Sequence, residues 1–242
     1  MPLDPSKRLR MTSSTWRALG NTYVVVEPGG ERLDASSASA LAHDTDGVVE
    51  VLALTNERVE IAIWNPDGSQ AELSGNGTRI AAAWLAARSS AERIEVVVGE
   101  RTVVARMLGD GTVEQEMGEV VVGESETIDG LSVRAVSVGN PHAVVLGDPD
   151  TITEVGPYLE GHARFPNRTN VQVARIDGPG EVTARVWERG VGETASSGTS
   201  AVAVAAATHE EGDVLVHFPG GDLRVRLGAG AALLYGSAER VS

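Results

Sequence analysis

At 242 residues, 42% of them hydrophobic, the chain suits one large domain or two small ones with a sizeable core. A formal net charge of −14 argues against nucleic acid and anionic membranes as partners. The absence of cysteine excludes disulfides, thiolate metal sites and thiol catalysis.

In chain order, residues 1–10 carry basic groups with no apolar run behind them, so they read as a short disordered leader and not as a signal peptide. No uncharged apolar run reaches the roughly 18 residues of a spanning helix, and a cytoplasmic location is the default expectation. Short β-branched runs bounded by Gly, Pro, Asn or Asp predict strands over residues 22–27, 48–55 and 59–64, then a turn at Asn65-Pro66-Asp67-Gly68. An Ala-rich helix is predicted over 79–87, with strands over 94–98 and 133–138. A weaker helix follows over 151–160, then a strand over 182–187. A second Ala-rich helix is predicted over 201–208. Strands over 214–218 and 223–227 follow, linked by Pro219-Gly220-Gly221-Asp222. Both Ala-rich helices have small side chains and few charges, which predicts burial on every side.

The layout repeats. Gly20-Asn21 recurs as Gly139-Asn140, and Ser74-Gly75 recurs as Ser197-Gly198, each about half the chain later. Two similar domains are expected to face each other, with a boundary near Gly109–Val113. The fold class is α/β: two pseudo-symmetric domains, each a curved mixed sheet or barrel around a central Ala-rich helix. The expected domains are 1–112 and 113–228, with 229–242 returning to the first.

Two glycine-dense polar loops run straight into the Ala-rich helices. One spans Asn65 to Arg79 through Ser74-Gly75-Asn76-Gly77. The other spans Glu188 to Ser200 through Ser197-Gly198-Thr199. Unpaired N–H groups at a helix start attract anions, and glycine lets a ligand approach closely. Ser and Asn are also ordinary helix caps, so one such loop alone reads as a cap. Two in matching places of a repeat point to a site that grips a carboxylate from both sides.

These residues resemble the diaminopimelate epimerase family. Glu188-Arg189-Gly190 through Glu193-Thr194 to Ser197-Gly198-Thr199 is similar to its second signature, and Glu72 to Arg79 around Ser74 to its first. Serine stands at both places where the family carries cysteine. Gly20-Asn21, Gly139-Asn140-Pro141-His142, Phe165 to Asn170, and Phe218 to Leu223 match further motifs in order.

The resemblance implies an isomerase that inverts an amino-acid α-carbon without pyridoxal phosphate, metal or any other cofactor. A base on one face and an acid on the other move the proton. By carry-over, Ser74 and Ser197 hold the acid/base positions, with His142 and Glu188 beside them. Gly75, Asn76, Gly198 and Thr199 hold the α-carboxylate. Asn21, Asn65, Asn170, Glu188 and Arg189 recognise the distal end of diaminopimelate. The implied partner is a small amino acid and, by likeness, a second copy in a homodimer. The implied pathway leads to lysine and cell-wall precursors.

Two departures stand out. A thiol titrates near about 8.5 and a serine hydroxyl is a far weaker acid. Three readings of the serines therefore stay open: a disarmed epimerase, a relative with weakened or different chemistry on another amino acid, and a non-catalytic binder. A serine hydrolase built from Ser197, His142 and Glu188 is a further rival, opposed by the lack of a Gly-x-Ser-x-Gly elbow. The second departure is the segment 39–50, shorter than the family's loop. Its His43, Asp44 and Asp46 read as a polar turn and not as a metal site. His209-Glu210-Glu211 reads as a solvated helix end, and Gly190-Val191-Gly192 lacks the dinucleotide-binding context.

Overall fold

The computed structural model describes residues 12–29, 31–228 and 231–242. The leader expected over residues 1–10 and the start of the returning segment, 229–230, lie outside the described residues. Strands form where β-branched residues can lie on a pleated surface. The elements are β1 (Ser13–Ala18), β2 (Asn21–Val26), α1 (Ala35–Leu41), β3 (Gly47–Leu54), β4 (Arg58–Trp64), α2 (Gly75–Ser89), β5 (Arg93–Val98), β6 (Arg101–Met107) and β7 (Thr112–Glu119). The chain continues through β8 (Val121–Ile128), β9 (Leu131–Ser137), β10 (Pro141–Leu146), α3 (Ile152–Glu160), β11 (Asn170–Gly178), β12 (Glu181–Glu188) and β13 (Gly192–Thr194). It ends with α4 (Gly198–Thr208), β14 (Gly212–Phe218), β15 (Gly221–Gly228), β16 (Ala231–Ser237) and β17 (Glu239–Arg240).

The pairing order is the same twice. β1–β2, β3–β4, β5–β6 and β6–β7 are antiparallel, while β2–β3 and β4–β5 are parallel. β9–β10, β11–β12, β14–β15 and β15–β16 are antiparallel, while β10–β11 and β12–β14 are parallel. Parallel neighbours need a crossover, and each one contains a helix: α1, α2, α3 and α4 in turn. The repeats join where their last strands, β7 and β16, pair antiparallel. β8 then pairs with β9, and β17 pairs with β1.

The two Ala-rich helices lie inside the curled sheet. α2 buries Ile80, Ala81, Ala82, Trp84 and Leu85, and α4 buries Ala201 through Ala205, all in one core with strand residues such as Val49, Ile61, Val182 and Val216. The expected burial on every side holds for α4, whose small residues let strands close around it, but not for α2, which carries Trp84 into the core and exposes Ala87 and Arg88 in its last turn. α1 covers the outside of the first repeat with Ala38 and Ala42 against Trp64. α3 covers the second, with Ile152 and Leu159 against Val145 and Val173.

Candidate active site

Both buried helices begin at a glycine that follows a serine in extended backbone. These glycines touch. A Cβ on Gly75 would lie 2.8 Å from Gly198 Cα, and a Cβ on Gly198 would lie 2.9 Å from Gly75 Cα. Only the absence of side chains lets the two helices abut. Abutting, they bring two positive dipole ends and their unpaired N–H groups to one place.

A cleft of about 340 Å³ opens there. Of the residues singled out in the sequence, Ser74, Glu188, Asn21, Asn65, Asn170 and Arg189 line it. Ser197, Gly75, Asn76, Gly198, Thr199 and His142 are buried and are not among the residues that line it. The two serines differ in partners. Ser74 Oγ caps α2, accepting from the Gly77 N–H at 3.0 Å, and lies 3.4 Å from the Tyr23 hydroxyl. Ser197 makes no side-chain cap bond, and its hydroxyl lies against the Glu188 carboxyl.

Burial pushes the Glu188 carboxyl above the ordinary carboxylate range. Hydrogen bonds from Thr194, whose Oγ1 donates at 2.6 Å, and from Ser197 counter this in part, while the charge of Asp46 adds to it. Burial, then the charges of Glu188 and Asp46, hold the Tyr23 phenol well above its usual value. Its contact with Ser74 and the charge of Arg79 oppose them.

His142 does not line the cleft. Its Nε2 donates to Asn140 Oδ1 at 2.8 Å and its Nδ1 accepts from Gln172 at 3.0 Å, a tautomer set by these partners. Burial lowers its pKa to about 3, so the ring is neutral. It holds Asn140, which does line the cleft and donates to Thr199 Oγ1 at 3.3 Å.

Three asparagines are oriented by the chain. Asn21 donates to the Ser196 carbonyl at 2.7 Å, Asn65 to Ser69 Oγ at 3.0 Å, and Asn170 to the Pro141 carbonyl at 2.9 Å. Arg189 pairs with Glu72 at 3.2 Å, joining the two glycine-dense loops. Asp46, Asp67, Glu72 and Glu188 share the lining with Arg168 and Arg189, a mixture that suits a zwitterion with several ammonium and carboxylate groups. Among the described residues no three His, Asp or Glu side chains come together in a metal-binding cluster.

Sequence reading missed Tyr23, Asp46 and Asn140 as lining residues. The repeat held the signal for Tyr23, which follows Asn21 by the same step as His142 follows Asn140.

The family model described as diaminopimelate epimerase matches residues 17–123 and 134–240. The chain belongs to the diaminopimelate epimerase family. A diaminopimelate epimerase of Desulforudis audaxviator is 36% identical, covering 96% of this chain and 97% of its own. One from Xanthomonas axonopodis is 37% identical, covering 91% and 89%. In fold, the chain is similar to a predicted epimerase from Pseudomonas aeruginosa, with a TM-score of 0.77 at 15% identity, covering 96% of this chain and 97% of that one. It is similar also to a hydroxyproline epimerase from Agrobacterium vitis, with a TM-score of 0.72 at 16% identity, covering 96% and 91%. By family, the chain is an amino-acid isomerase of the epimerase and racemase class.

Proposed function

We propose that the chain interconverts LL- and meso-diaminopimelate by cofactor-independent transfer of the α-proton in this cleft. The observation that carries the reading is the abutment of the α2 and α4 starts at Gly75 and Gly198, with a serine at each cap. The ligand's α-carboxylate sits on the donors of Gly75, Asn76, Gly198 and Thr199. Asn21, Asn65, Asn170, Glu188 and Arg189 take its distal end, and Glu72 gives up Arg189 to the distal carboxylate.

Removing the α-proton leaves an electron pair that spreads into the carboxylate, and the helix ends stabilise that charge away from water. The acid on the opposite face then delivers its own proton to the α-carbon. A serine hydroxyl is too weak an acid to be ionised near neutral pH, so each serine acts as a relay, passing its own proton to the neighbouring side chain as it takes one from the α-carbon. Ser197 has beside it a carboxyl that burial holds above the ordinary carboxylate range, so it takes up a proton more readily than an exposed carboxylate. Ser74 has only Tyr23, a much weaker acid. In this reading Ser197–Glu188 is the competent face, Ser74–Tyr23 limits turnover, and the serine pair weakens epimerisation. The same reading takes 1–112 and 113–228 as two units, with 229–242 returning to the first. It makes the protein a cytoplasmic homodimer of the lysine and cell-wall pathway, acting on a small molecule and not on nucleic acid or membrane.

The test is NMR in deuterated water with each diaminopimelate isomer. The expected result is α-deuterium incorporation faster than isomer interconversion. Failure of either isomer to bind by calorimetry overturns the reading.

A further inference from the structure

Arg79 leaves the first turn of α2 towards the seam between β7 and β16 and is fully buried. Its guanidinium donates to the Ser237 carbonyl at 3.1 Å and to Asn76 Oδ1 at 2.6 Å, and lies 3.4 Å from the side-chain amide of Gln115. All are neutral. No aspartate or glutamate of the described residues pairs with it, and Tyr23, the titratable group that acts on it, keeps its proton at neutral pH. Burial lowers its pKa to about 10, which leaves it charged at neutral pH. A buried charge without a counter-ion destabilises a fold unless something offsets it.

The other repeat shows that the fold does not need a cation here. Counted from Ser74 and Ser197, the counterpart of Arg79 is Val202 and that of Thr78 is Ala201, both fully buried. Gln115 stands opposite Leu234 across the β7–β16 ladder. One side of the axis closes with apolar residues, and the other holds a guanidinium and a polar network in the same place. That network leads to the site. Asn76, which accepts from Arg79, is the second residue of α2, and its amide donates to the Ser196 carbonyl at 3.4 Å in the second loop. The field of Arg79 reaches Tyr23 in the cleft wall.

We propose that Arg79 is the fixed counter-charge for a ligand's carboxylate at the paired helix starts, and for the negative charge that gathers there as the α-proton leaves. It is a positioning residue: it acts through Asn76 and through space, and it forms no bond to the substrate. The inference rests on the cleft being the amino-acid site proposed above. It accounts for a buried arginine that has neutral hydrogen-bond partners but no counter-ion among the described residues.

The test compares Arg79→Met and Arg79→Lys with the wild type, reading calorimetric affinity for LL- and meso-diaminopimelate together with thermal stability. Arg79→Met is expected to bind about tenfold more weakly, or worse, with its melting temperature unchanged or raised. Arg79→Lys, which keeps the charge, is expected to stay within about threefold of wild type. Undiminished binding by Arg79→Met overturns the proposal. So does an equal loss in both variants with a lower melting temperature, because that marks a purely structural role. Should Arg79→Met not fold, Asn76→Asp places a carboxylate against the guanidinium, and unchanged affinity in that variant is equally fatal. Wild-type protein that binds neither isomer defeats the substrate reading alone. The same variants are then read with whichever of L-proline, L-lysine or L-glutamate it does bind, and binding of none of them overturns both.

Discussion

The two repeats share a backbone plan and differ in what they place at corresponding points. Where they agree, the residues serve the fold and the chemistry that the proposed site asks of both faces. The tryptophan near the end of β4, Trp64, donates its indole N–H to buried Glu50 at 3.0 Å, and its counterpart in β12, Trp187, donates to buried Glu160 at 2.8 Å. Gly75 and Gly198 likewise answer each other. Where they disagree, the fold is indifferent and the site is not: Tyr23 against His142, Arg79 against Val202, and a cap-bonded Ser74 against a Ser197 turned to Glu188. An internal repeat thus acts as its own control for finding what distinguishes one face of the site from the other.

The largest effect expected is on activity. Ser74→Cys with Ser197→Cys should raise isomer interconversion by about a hundredfold or more, because both faces gain a group that titrates near neutral pH. Each single variant should gain less, and Ser197→Cys alone should speed α-deuterium exchange without matching inversion. NMR of diaminopimelate in deuterated water reads both. If the two single variants behave alike, the proposed inequality of the faces is wrong.

Next come the matched glycines. Gly75→Ala and Gly198→Ala should each destabilise by about 1–3 kcal/mol in urea unfolding, since the new methyl meets backbone that cannot rotate away. Loss in only one of them would mean that the repeats do not meet as equals.

His142 gives a pH signature that its counterpart Tyr23 lacks. Its folded pKa, about 3, lies below its ordinary value of 6.5, so the unfolded chain binds the extra proton between these values. Stability from the neutral ring is full above 6.5 and is lost as pH falls towards 3, at up to about 1.4 kcal/mol per pH unit. His142→Asn should remove that component, so the stability gap between wild type and variant should narrow on acidification. A gap independent of pH would show that the ring is not held neutral.

The smallest effect is that of Tyr23→Phe. Its hydroxyl makes one long contact, to Ser74 at 3.4 Å, so unfolding free energy should move by no more than about 1 kcal/mol. Deuterium exchange through the Ser197–Glu188 face should persist while inversion slows. Loss of both activities together would place Tyr23 on the common path.

Legibility in the sequence followed strength of pattern. The Ala-rich helices and the central strands were visible because they are apolar and bounded by turn residues. The helices start earlier than their periodicity indicated, at Gly75 and Gly198, because the opposing helix, and for α2 the Ser74 cap, hold poor helix formers in place. β8 escaped because Val121 to Ile128 is mostly exposed and polar, so it shows no buried alternation. α1 escaped for its shortness, although Asp34 and Ser37 form a capping box that marks its start. Of the residues that motif resemblance named, Ser74, Asn21, Asn65, Asn170, Glu188 and Arg189 line the cleft. The resemblance missed what depends on the third dimension: the withdrawal of His142 behind Asn140, and the presence of Asp46 in the cleft wall.

The seam between the repeats also bears on how the protein is made. β7 has one neighbour, β6, in its own repeat, and its other edge is covered only by β16. β17 then reaches back to β1, where Arg17 pairs with Glu239 and the Thr15 N–H donates to the Ser242 carbonyl at 3.0 Å. On the ribosome, therefore, the first repeat waits with two bare strand edges until nearly the whole chain has emerged. Bare edges invite pairing with other nascent chains, and contacts so distant in sequence close slowly. Loss of β16 and β17, in translation or to a protease, would leave the earlier repeat with both edges bare.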